Sequence, residues 1–375
     1  MHGGRHSRRR FLKTTGLIAV SAILPAAGCD RHDATSLETP LGPGETGSGN
    51  PGDAPITANN RFYVQTLRGP SFDPNVNTTK WVMSVNGLVD KPVSGFTYDD
   101  LLGMPMARQT MTMECIGNWV GGPLLGNAEF GGTLLRNMLD MAGVQRGAIR
   151  VRFDGADGYT TSIPLERALR SNVLLAWEMN GEVLPSRHGY PVRLINPGHY
   201  GQKMPKWITR IQLIDEVYLG FWERLPTDSP VHWSDAAVAT VNSRIDAPLS
   251  PWDDVADPTG RSVEPAYQTL QGTADTVFTV YGVAMAGERT VERVELSTDG
   301  GVTWNRARLT TRVMPNVWVV WTYDWPLPPS GRYELVVRAV DSSGEAQPQV
   351  DEGNDIFDGR TAWHHVPVNV LRTGS

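Results

Sequence analysis

From about residue 250 onward, the sequence consists of short runs rich in β-branched and aromatic residues that recur at regular spacing. The runs cover residues 277–283, 290–297, 304–309, 318–325 and 333–340. Turn sequences such as Asp-Gly-Gly at 299–301 separate them. Short strands between frequent turns are typical of two packed antiparallel sheets. Residues 250–375 are therefore predicted to form an all-β sandwich. The sequence lacks the Cys…Trp…Cys spacing of antibody domains, so kinship with those domains is not implied.

The preceding part of the chain mixes strand and helix patterns, so it is predicted to be a separate unit containing both. Residues 81–89 alternate and contain an Asn-Gly turn, as in a β-hairpin. Residues 98–102 have a short helical pattern with acidic residues in the first turn. A second helix is predicted after Thr133, which can cap it, and Gly143 ends it. Residues 173–177 form a nearly continuous apolar run, which indicates an interior strand.

The first residues are predicted to be a targeting segment. Residues 7–13 (SRRRFLK) precede an apolar run at 14–27 that is too short for a permanent membrane-spanning helix. Paired arginines before Phe-Leu-Lys indicate a twin-arginine export signal, with an ordinary secretory signal as the alternative. Residues 24–29 (LPAAGC) are similar to a lipobox, although Ala26 stands where Leu is more common. We therefore expect export to the periplasm and a lipid anchor on Cys29.

Residues 29–57 are rich in Gly, Pro, Ser, Thr and Asp, which is the composition of a flexible linker. The whole chain has 34 Lys and Arg against 40 Asp and Glu, a net charge of −6. Removal of residues 1–28, which hold five basic and no acidic residues, changes this net charge to −11. Such acidity disfavours nucleic acid or an anionic membrane surface as a partner.

Only two cysteines occur in 375 residues, and one of them, Cys29, lies at the end of the export signal. The folded part therefore has one cysteine, Cys115, and no intramolecular disulfide. Three interpretations compete: an inert buried side chain, a nucleophile with His188 or His199 as its base, and a thiolate held by a metal or cofactor. The surrounding residues, 111–122, favour the third interpretation. An alternating strand stops there at a glycine-rich loop, which lets a ligand approach the sulfur.

A second informative stretch, residues 188–207, carries two histidines, one arginine and two lysines between glycine and proline turns. Zinc binding is one alternative, but His188 and His199 are eleven residues apart and no cysteine or carboxylate stands at ligand spacing. A solvated basic loop is the other alternative. Arginine, lysine and histidine on glycine-rich backbone are the groups that bind phosphate, and the stretch is predicted to do so.

Both stretches resemble one family in order and spacing. Residues 114–118 (ECIGN), followed by 126–127 (GN) and 132–135 (GTLL), resemble the molybdopterin-dependent sulfite oxidase family. In that family the cysteine at this position is the protein's ligand to molybdenum, so the resemblance implies that Cys115 is the catalytic residue and the metal ligand. The resemblance covers roughly residues 58–348.

The resemblance also implies which residues bind the cofactor, Mo-molybdopterin. In the family, a segment corresponding to 62–66 wraps the pterin, and a His (or Asn), an Arg and a Lys bind its phosphate and pyran side. The implied cofactor-binding residues are Phe62, Tyr63, Val64, Gln65, Cys115, Asp154, His188, Arg193, Met204, Pro205 and Lys206, with Met204 and Pro205 contributing backbone groups. His232, in a Pro/Asp/Ser-rich loop, is a further candidate at the border of the pocket, although such a residue more often serves packing.

The expected fold class is α+β, with a mixed α/β molybdopterin domain of the sulfite oxidase type followed by an immunoglobulin-like sandwich. The expected divisions are the signal (1–28), the linker (29–57), the molybdopterin-binding oxidoreductase domain (58–249) and a dimerisation-type C-terminal domain (250–375). The last of these implies a homodimer.

The chemistry that the resemblance implies is two-electron oxygen-atom transfer, with a small-molecule oxo-acceptor or oxo-donor as the substrate. Since the sequence has no C-x-x-C-H haem motif, a separate cytochrome c or quinone-linked carrier is the expected electron partner. Two alternatives from other classes remain. One is a cofactor-free anchored binding lipoprotein, and the other is a thiol enzyme.

The identity of the substrate depends on two positions. In sulfite oxidisers, arginines occupy the positions that hold Val120 and Gln65 here, and a doubly anionic substrate needs that positive charge. Arg68, Arg108 and His199 are candidate substitutes. A less charged substrate, or the reduction of an S-oxide or N-oxide, therefore competes with sulfite.

Overall fold

The computed structural model of the protein describes residues 52–69, 71–224, 232–248, 268–351 and 356–373. The predicted signal, Cys29, most of the predicted linker and the predicted boundary between residues 249 and 250 lie outside these ranges. Among the helices that the described ranges contain, none is both long enough and apolar enough to cross a membrane.

The first part of the described chain is built on two five-stranded sheets. Its strands are β1 (Val82–Gly87), β2 (Val93–Thr97), β3 (Ala107–Glu114), β4 (Leu125–Leu134), β5 (Arg150–Gly155), β6 (Thr160–Pro164), β7 (Leu174–Met179), β8 (Glu182–Val183), β9 (Arg193–Ile195) and β10 (Ile208–Ile214). Its helices are α1 (Tyr98–Leu102), α2 (Leu135–Ala142) and α3 (Leu165–Ala168), with 3₁₀ turns at Ser186–His188 and Gly201–Lys203.

One sheet has the order β2-β1-β10-β5-β6, and the other has the order β3-β4-β7-β8 with β9 also paired to β7. In the first sheet, β1 runs parallel to β10 and the other pairs are antiparallel. Helix α2 buries Leu135, Met138, Leu139 and Ala142 in the core. These residues lie three and four positions apart, so they share one helix face.

The helix predicted after Thr133 is confirmed, but the prediction that Thr133 caps it is wrong. The N-cap residue is Leu134, and no side chain hydrogen-bonds the first turn. Thr133 belongs to β4 instead, where it is buried and its hydroxyl accepts a hydrogen bond from Asn137 Nδ2 at 3.1 Å. The helix ends at Gly143, with φ 69°, as the sequence predicts.

The second part is a sandwich of two sheets. Its strands are β11 (His232–Trp233), β12 (Asn242–Ala247), β13 (Gln268–Gly272), β14 (Val277–Met285), β15 (Val291–Ser297), β16 (Asn305–Arg306), β17 (Arg308–Leu309), β18 (Val319–Pro326), β19 (Gly331–Asp341), β20 (Ile356–Phe357) and β21 (His364–Arg372). The two sheets have the orders β12-β14-β18-β17 and β13-β21-β19-β15-β16, and β11 pairs separately with β20. The five predicted runs therefore all contain strands of the sandwich.

Strand β12 changes the predicted division at residue 250. It precedes that position, but it pairs with β14 along the edge of the sandwich, from Asn242 opposite Met285 to Ala247 opposite Tyr281. Because a strand belongs to the sheet that satisfies its backbone, the sandwich begins upstream of residue 250.

The two parts meet around β3 and the loop that follows it. Thr112 N donates to Asn316 O at 2.7 Å, and Trp318 N donates to Thr112 Oγ1 at 2.7 Å. Ile116 packs in a buried cluster with Val283 and Trp318 of the sandwich. The end of β3 is therefore held by both parts of the molecule.

Gly132, on β4, has no room for a side chain. A Cβ there would lie 2.1 Å from the carbonyl oxygen of Leu175 and 2.6 Å from Ala176 Cα on β7. We expect Gly132→Ala to lower the free energy of unfolding by about 1–3 kcal/mol, since backbone must move to admit the methyl group. Urea denaturation measures this change. Gly103→Ala is the control, because its nearest Cβ contact is at 3.4 Å; equal effects at the two positions would refute the explanation.

His364, between the two parts, is buried, and its Nδ1 accepts a hydrogen bond from Ile245 N at 2.9 Å. Burial, with Arg244 and His365 nearby, lowers its pKa from 6.5 to about 3. The unfolded chain therefore binds one more proton between pH 6.5 and pH 3, and stability is lost as the pH falls through this window.

We expect His364→Gln to reduce the slope of the free energy of unfolding against pH, because the unfolded chain of this variant binds about one proton fewer in this window. The free energy of unfolding measured at pH 7 and pH 5 tests the expectation, and the exposed His365→Gln controls for the loss of a histidine. An unchanged slope in His364→Gln would contradict it.

Candidate active site

Cys115 is the first residue after β3, at the start of the loop that returns to β4. Its side chain is partly exposed, while its N–H donates to Leu124 O at 3.0 Å and its carbonyl accepts from Asn118 N at 2.9 Å. Asn118 closes the loop, because its Nδ2 donates to Glu114 Oε1 and its Oδ1 accepts from Leu124 N, both at 2.9 Å. The prediction that Cys115 lies where a strand meets a glycine-rich loop is therefore confirmed, and these hydrogen bonds give the loop a defined conformation.

Tyr63 lies beside the end of β3. A Cβ on Gly201 would be 3.0 Å from Tyr63 Oη and 3.5 Å from Glu114 O, so only glycine leaves space for the phenol. The Tyr63 hydroxyl is buried and has no hydrogen-bond partner among the described residues. Burial raises the pKa of Tyr63 well above its usual value, and negative charge on Cys115 raises it further. The phenol therefore remains a proton-bearing donor near the thiol.

Tyr159 is a second phenol in this region. It is buried and donates from its hydroxyl to Gln202 O at 2.6 Å. Burial raises its pKa, and several negative neighbours, Cys115 among them, add to the effect. Both phenols near Cys115 are therefore neutral at physiological pH.

The three residues predicted to bind phosphate come together around Gly189. A Cβ on Gly189, where φ is +123°, would lie 2.9 Å from Arg193 Cβ and 3.2 Å from Lys206 Cβ. Arg193 Nη1 donates to His188 O at 2.9 Å, and His188 Nε2 lies 2.8 Å from Asn59 O. The sequence separates these residues by up to eighteen positions, and the chain reversals bring them to one place.

Arg193 is a buried cation that donates its hydrogen bonds to neutral groups. In addition to its hydrogen bond to His188 O, Arg193 donates from Nη2 to Met113 Sδ at 3.3 Å. Its Nε has no hydrogen-bond partner among the described residues. Burial lowers its pKa to about 10. Among the described residues it forms no ion pair within 4 Å. A buried charge of this kind is costly unless an anion binds there.

Lys206 is the second cation of this cluster. Its Nζ donates to Arg187 O at 2.8 Å and lies 4.3 Å from the centroid of the Trp207 ring. Burial, followed by the positive charge of Arg193, lowers the pKa of Lys206 well below its usual value. The buried carboxylate of Asp157 partly opposes this shift. Lys206 and Arg193 repel each other, and an anion bound between them would relieve the repulsion.

Lys203, the other lysine of this stretch, is occupied. Its Nζ pairs with Glu223 and with Asp235, the latter at 3.0 Å, and it also donates to Ser162 O at 3.2 Å. Arg150 binds Asp235 with two hydrogen bonds of 2.8 Å. This network balances its own charges, so Lys206 rather than Lys203 is available for an anionic ligand.

The predicted aromatic segment lies against the same cluster. Phe62 stacks on Tyr63 with ring centroids 5.3 Å apart and meets His188 edge to face at 5.7 Å. Its ring occupies the space that a Cβ on Gly126 would need, 2.7 Å away. Residues 64 and 65, Val64 and Gln65, are half-buried. Phe62 thus links Tyr63 to the phosphate-type residues.

Three other predicted residues have ion pairs or hydrogen bonds within the protein, and one of these contacts, Arg193 Nη2 to Met204 O at 3.5 Å, joins Met204 to the cation cluster. Asp154 pairs with Arg152 at 2.9 Å and also with Arg210. Met204 N donates to Gly201 O at 3.0 Å, and Pro205 O accepts from Leu194 N at 2.9 Å. Their predicted roles in cofactor binding stay predictions.

Asp157 was not among the predicted residues. It is buried, and a Cβ on Gly155 would lie 2.8 Å from Asp157 Oδ1 and 2.7 Å from Lys206 O, which places Asp157 next to Lys206. An aspartate before glycine is typical of an ordinary turn, so no pattern in the sequence indicates a buried role for Asp157.

The positions of the histidines give little support to the two alternatives that depend on them, a zinc site and a thiol enzyme with a histidine base. His188 faces Asn59 O, and His199 Nδ1 lies 3.4 Å from Pro197 O. Burial lowers the pKa of both imidazoles to about 4. In the part of the chain that the structure describes, no three His, Cys, Asp or Glu side chains are grouped to hold a metal ion. For His232 only the backbone, in β11, is described.

The candidate substitutes for the missing arginines also have other contacts. Arg108 pairs with Glu129 at 3.1 Å and Glu178 at 2.7 Å. Arg68 is exposed, and its guanidinium lies 5.1 Å from the centroid of the Phe72 ring. Val120, in the Cys115 loop, is half-buried. Among the described residues, the cations that contact the Cys115 loop or the end of β3 are Arg244, at Gly122 O, and Arg193, at Met113 Sδ.

Three features define a two-domain cofactor-binding protein: a cysteine at a strand-to-loop junction, a buried arginine without an ion pair among the described residues, and an appended β-sandwich. A family model for the oxidoreductase molybdopterin binding domain matches residues 70–222, and a model for the Mo-co oxidoreductase dimerisation domain matches residues 262–371. The chain belongs to the sulfite oxidase family.

Individual relatives agree with this assignment. The chain is 32% identical to human mitochondrial sulfite oxidase over 355 residues, covering 84% of this chain and 62% of the human protein. It is 30% identical to chicken sulfite oxidase, covering 82% of this chain and 72% of the relative. The solved structure of the sulfane dehydrogenase SoxCD from Paracoccus pantotrophus matches with a TM-score of 0.68 at 25% identity, over 85% of each chain. The chain thus spans less than two thirds of the human relative.

These matches confirm the predicted family, the predicted fold class and the predicted cofactor, Mo-molybdopterin. The residues present fit that group. A thiolate suits a metal of this kind, and Arg193 and Lys206 supply buried positive charge for a phosphate. The orphaned donors at Tyr63 Oη and Arg193 Nε remain for polar atoms of a ligand.

Proposed function

We propose that this protein is a mononuclear molybdenum oxidoreductase that carries out two-electron oxygen-atom transfer and exchanges electrons with a separate carrier. The observation that carries the proposal is the position of Cys115, on an ordered loop beside phenols and on the side of the fold that holds Lys206 and Arg193, a buried cation that forms no ion pair among the described residues. Bound there, the cofactor supplies a metal centre that exchanges two electrons with a substrate. Membership of the sulfite oxidase family supports the proposal.

Each group of side chains has a distinct role in this proposal. Cys115 would anchor the metal, while His188, Arg193 and Lys206 would hold the anionic and pyran side of the pterin. Tyr63 and Tyr159 keep their protons at the phenol oxygens, because burial raises both pKa values. Tyr63, whose hydroxyl has no hydrogen-bond partner among the described residues, would orient a substrate oxygen by hydrogen bonding without changing the charge of the site, whereas Tyr159 donates its proton to Gln202 O.

The substrate favoured here carries less charge than sulfite. Gln65 and Val120 bring no positive charge, and the exposed Arg68 and the ion-paired Arg108 have partners elsewhere. A doubly anionic substrate would then be desolvated without a dedicated counter-ion. Neutral S-oxides and N-oxides, which imply the reductase direction, are the second candidate function, and the neutral Tyr63 donor favours them.

Metal and pterin analysis of the purified protein tests the cofactor assignment. About one molybdenum and one pterin per chain is the expected result. A screen in both directions with sulfite, a sulfane-sulfur donor, neutral sulfoxides and N-oxides then tests the substrate class. Protein without molybdenum would favour the binding lipoprotein, and activity lost on alkylation of molybdenum-free protein would favour the thiol enzyme.

Tyr63→Phe tests the hydrogen-bonding role of the phenol. It removes one oxygen atom that has no hydrogen-bond partner among the described residues, so the fold is expected to keep its stability. We expect a roughly tenfold or larger loss of kcat/KM for the preferred oxo-substrate, with molybdenum content unchanged. Steady-state kinetics measure the effect, and Tyr333→Phe, on β19 of the sandwich, is the control. Wild-type kinetics in Tyr63→Phe would exclude the role.

The cellular setting forms a further part of the proposal. Residues 7–13 support twin-arginine export to the periplasm, and residues 24–29 support lipidation of Cys29. A cytochrome c or a quinone-linked protein is the proposed electron carrier. The match to a dimerisation domain supports a homodimer. The mass of the mature N-terminus tests the anchor, since a start downstream of Cys29 would exclude it, and sedimentation analysis tests the dimer.

A further inference from the structure

The loop that carries Cys115 is held from outside by the β-sandwich. At its start, Glu114 Oε1 accepts one hydrogen bond from Asn118 Nδ2 within the loop and another from Asn242 Nδ2 of β12, both at 2.9 Å. Glu114 is 2% exposed and Asn242 is 7% exposed, so water does not compete for this contact. The residue immediately before the thiol is therefore fixed by a strand that lies 128 positions further along the chain.

The other end of the loop has a second anchor. Arg244, also on β12, donates from Nη1 to Gly122 O at 2.8 Å. Its Nε is fixed by Asp246 Oδ1 at 2.6 Å, which orients the guanidinium. The ring of His364 lies against Gly121, where a Cβ would come within 2.2 Å of Nε2. Two side chains of the sandwich, Arg244 and His364, thus contact the end of the loop.

The anchors are themselves held rigidly. Asn242 Oδ1 accepts a hydrogen bond from Gln347 Nε2 at 3.0 Å, and Ser243 Oγ donates to Gln347 Oε1 at 2.6 Å. All three residues are buried. Because this network is buried and connected, movement of Asn242 would break several hydrogen bonds at once, while Arg244 is held through Asp246.

The loop needs such anchors because of its composition. Gly117, Gly121 and Gly122 stand among the eight residues 115–122, and glycine gives backbone the widest choice of conformations. Its internal hydrogen bonds, such as Asn118 N to Cys115 O, fix its shape. They do not fix its position relative to the cations at Arg193 and Lys206.

We propose that Asn242 and Arg244 are positioning residues for the Cys115 thiolate, so that the second domain completes the active centre. The consequence for turnover rests on the proposed function; the consequence for thiol exposure does not. Loss of either anchor would let the loop move, and a displacement of about 1 Å of a reacting group can cost up to about 100-fold in rate.

Arg244→Met tests the inference with two separate readouts. In protein prepared without cofactor, the rate at which iodoacetamide alkylates Cys115, followed by peptide mass, is expected to rise about tenfold as the loop opens more often. In the loaded full-length enzyme, kcat is expected to fall roughly tenfold or more, with KM changed much less and molybdenum content retained. Arg244→Lys, which can still reach Gly122 O, should restore a large part of both values.

Arg293→Met is the matched control. Arg293 also pairs with a carboxylate two residues along its own strand, Glu295 at 3.3 Å, but it lies on β15 away from the loop anchors. Its alkylation rate and kcat should equal those of the wild type. Should Arg244→Met fail to fold, Asn242→Ala carries the same test, because Asn118 still donates to Glu114.

Two results would overturn the inference. One is an alkylation rate in Arg244→Met equal to that of Arg293→Met. The other is a parallel loss of thermal stability and molybdenum in Arg244→Met that Arg244→Lys shares, which is the result of a purely structural role. Wild-type protein without molybdenum would defeat the proposed function alone, since the alkylation experiment would still decide the positioning role.

Discussion

Replacing Cys115 by alanine is expected to abolish turnover while the fold and the bound pterin remain. The thiol is partly exposed, and the loop is fixed by backbone groups and by Asn118, so the substitution should change the free energy of unfolding by less than about 1 kcal/mol. Activity should fall below about one per cent of the wild type, since even residues that only support a metal ligand cost 10–100-fold. Steady-state rates, pterin content and thermal unfolding measure these effects.

Leu124→Ala provides the comparison for Cys115→Ala. It shortens a half-buried side chain in the same loop, and the hydrogen bond that Leu124 N donates to Asn118 belongs to the backbone. We expect it to retain a large fraction of the activity. Wild-type-like turnover in Cys115→Ala would refute the ligand assignment and, with it, the proposed role of the thiol.

Replacing Arg193 by methionine is expected to move stability and cofactor binding in opposite directions. Arg193 is buried, and its hydrogen bonds go to neutral acceptors such as His188 O. Methionine of similar length removes a desolvated charge, so the cofactor-free protein should become more stable by about 1–3 kcal/mol. The pterin content should fall at least tenfold, because roughly 10–100-fold in affinity corresponds to a hydrogen bond with a charged group. Thermal unfolding tests the expected gain in stability, and pterin analysis tests the expected loss of pterin.

Arg150→Met is the natural control, with the opposite sign. Arg150 is equally buried but binds both oxygens of Asp235 at 2.8 Å. Its loss would leave the carboxylates around Lys203 in excess, and we expect the cofactor-free protein to lose about 3–5 kcal/mol. If Arg193→Met destabilised the cofactor-free protein to a similar extent, the interpretation of Arg193 as a cation awaiting an anionic ligand would be wrong.

The parts of the fold that local pattern determines were predictable. The alternating runs of the sandwich became β14, β15, β18 and β19, because side-chain period reports which face is buried. The strand-to-loop position of Cys115 was also predictable from apolar alternation and glycine. The cap at Thr133 was not, since that residue was recruited into β4 and its pairing with β7 outweighs a cap.

Contacts between distant parts of the chain could not be predicted from pattern. Asn242 and Arg244 sit in an ordinary alternating strand, and nothing local shows that they meet residues 114 and 122. The burial of Asp157 depends on Lys206, which lies 49 positions further along the chain, in the segment before β10. The distinction between Lys203 and Lys206 likewise follows from which carboxylates surround each ammonium group in the folded chain, a quantity that only tertiary structure defines.

The buried cluster that joins Ile116 to Val283 and Trp318 makes the catalytic loop part of the sandwich core. A substitution in the core of the second domain would therefore change catalysis as well as stability, and natural selection would act on both changes. The substitutions that this core can accept during evolution are therefore limited by the requirements of the metal centre, although the two are not in contact.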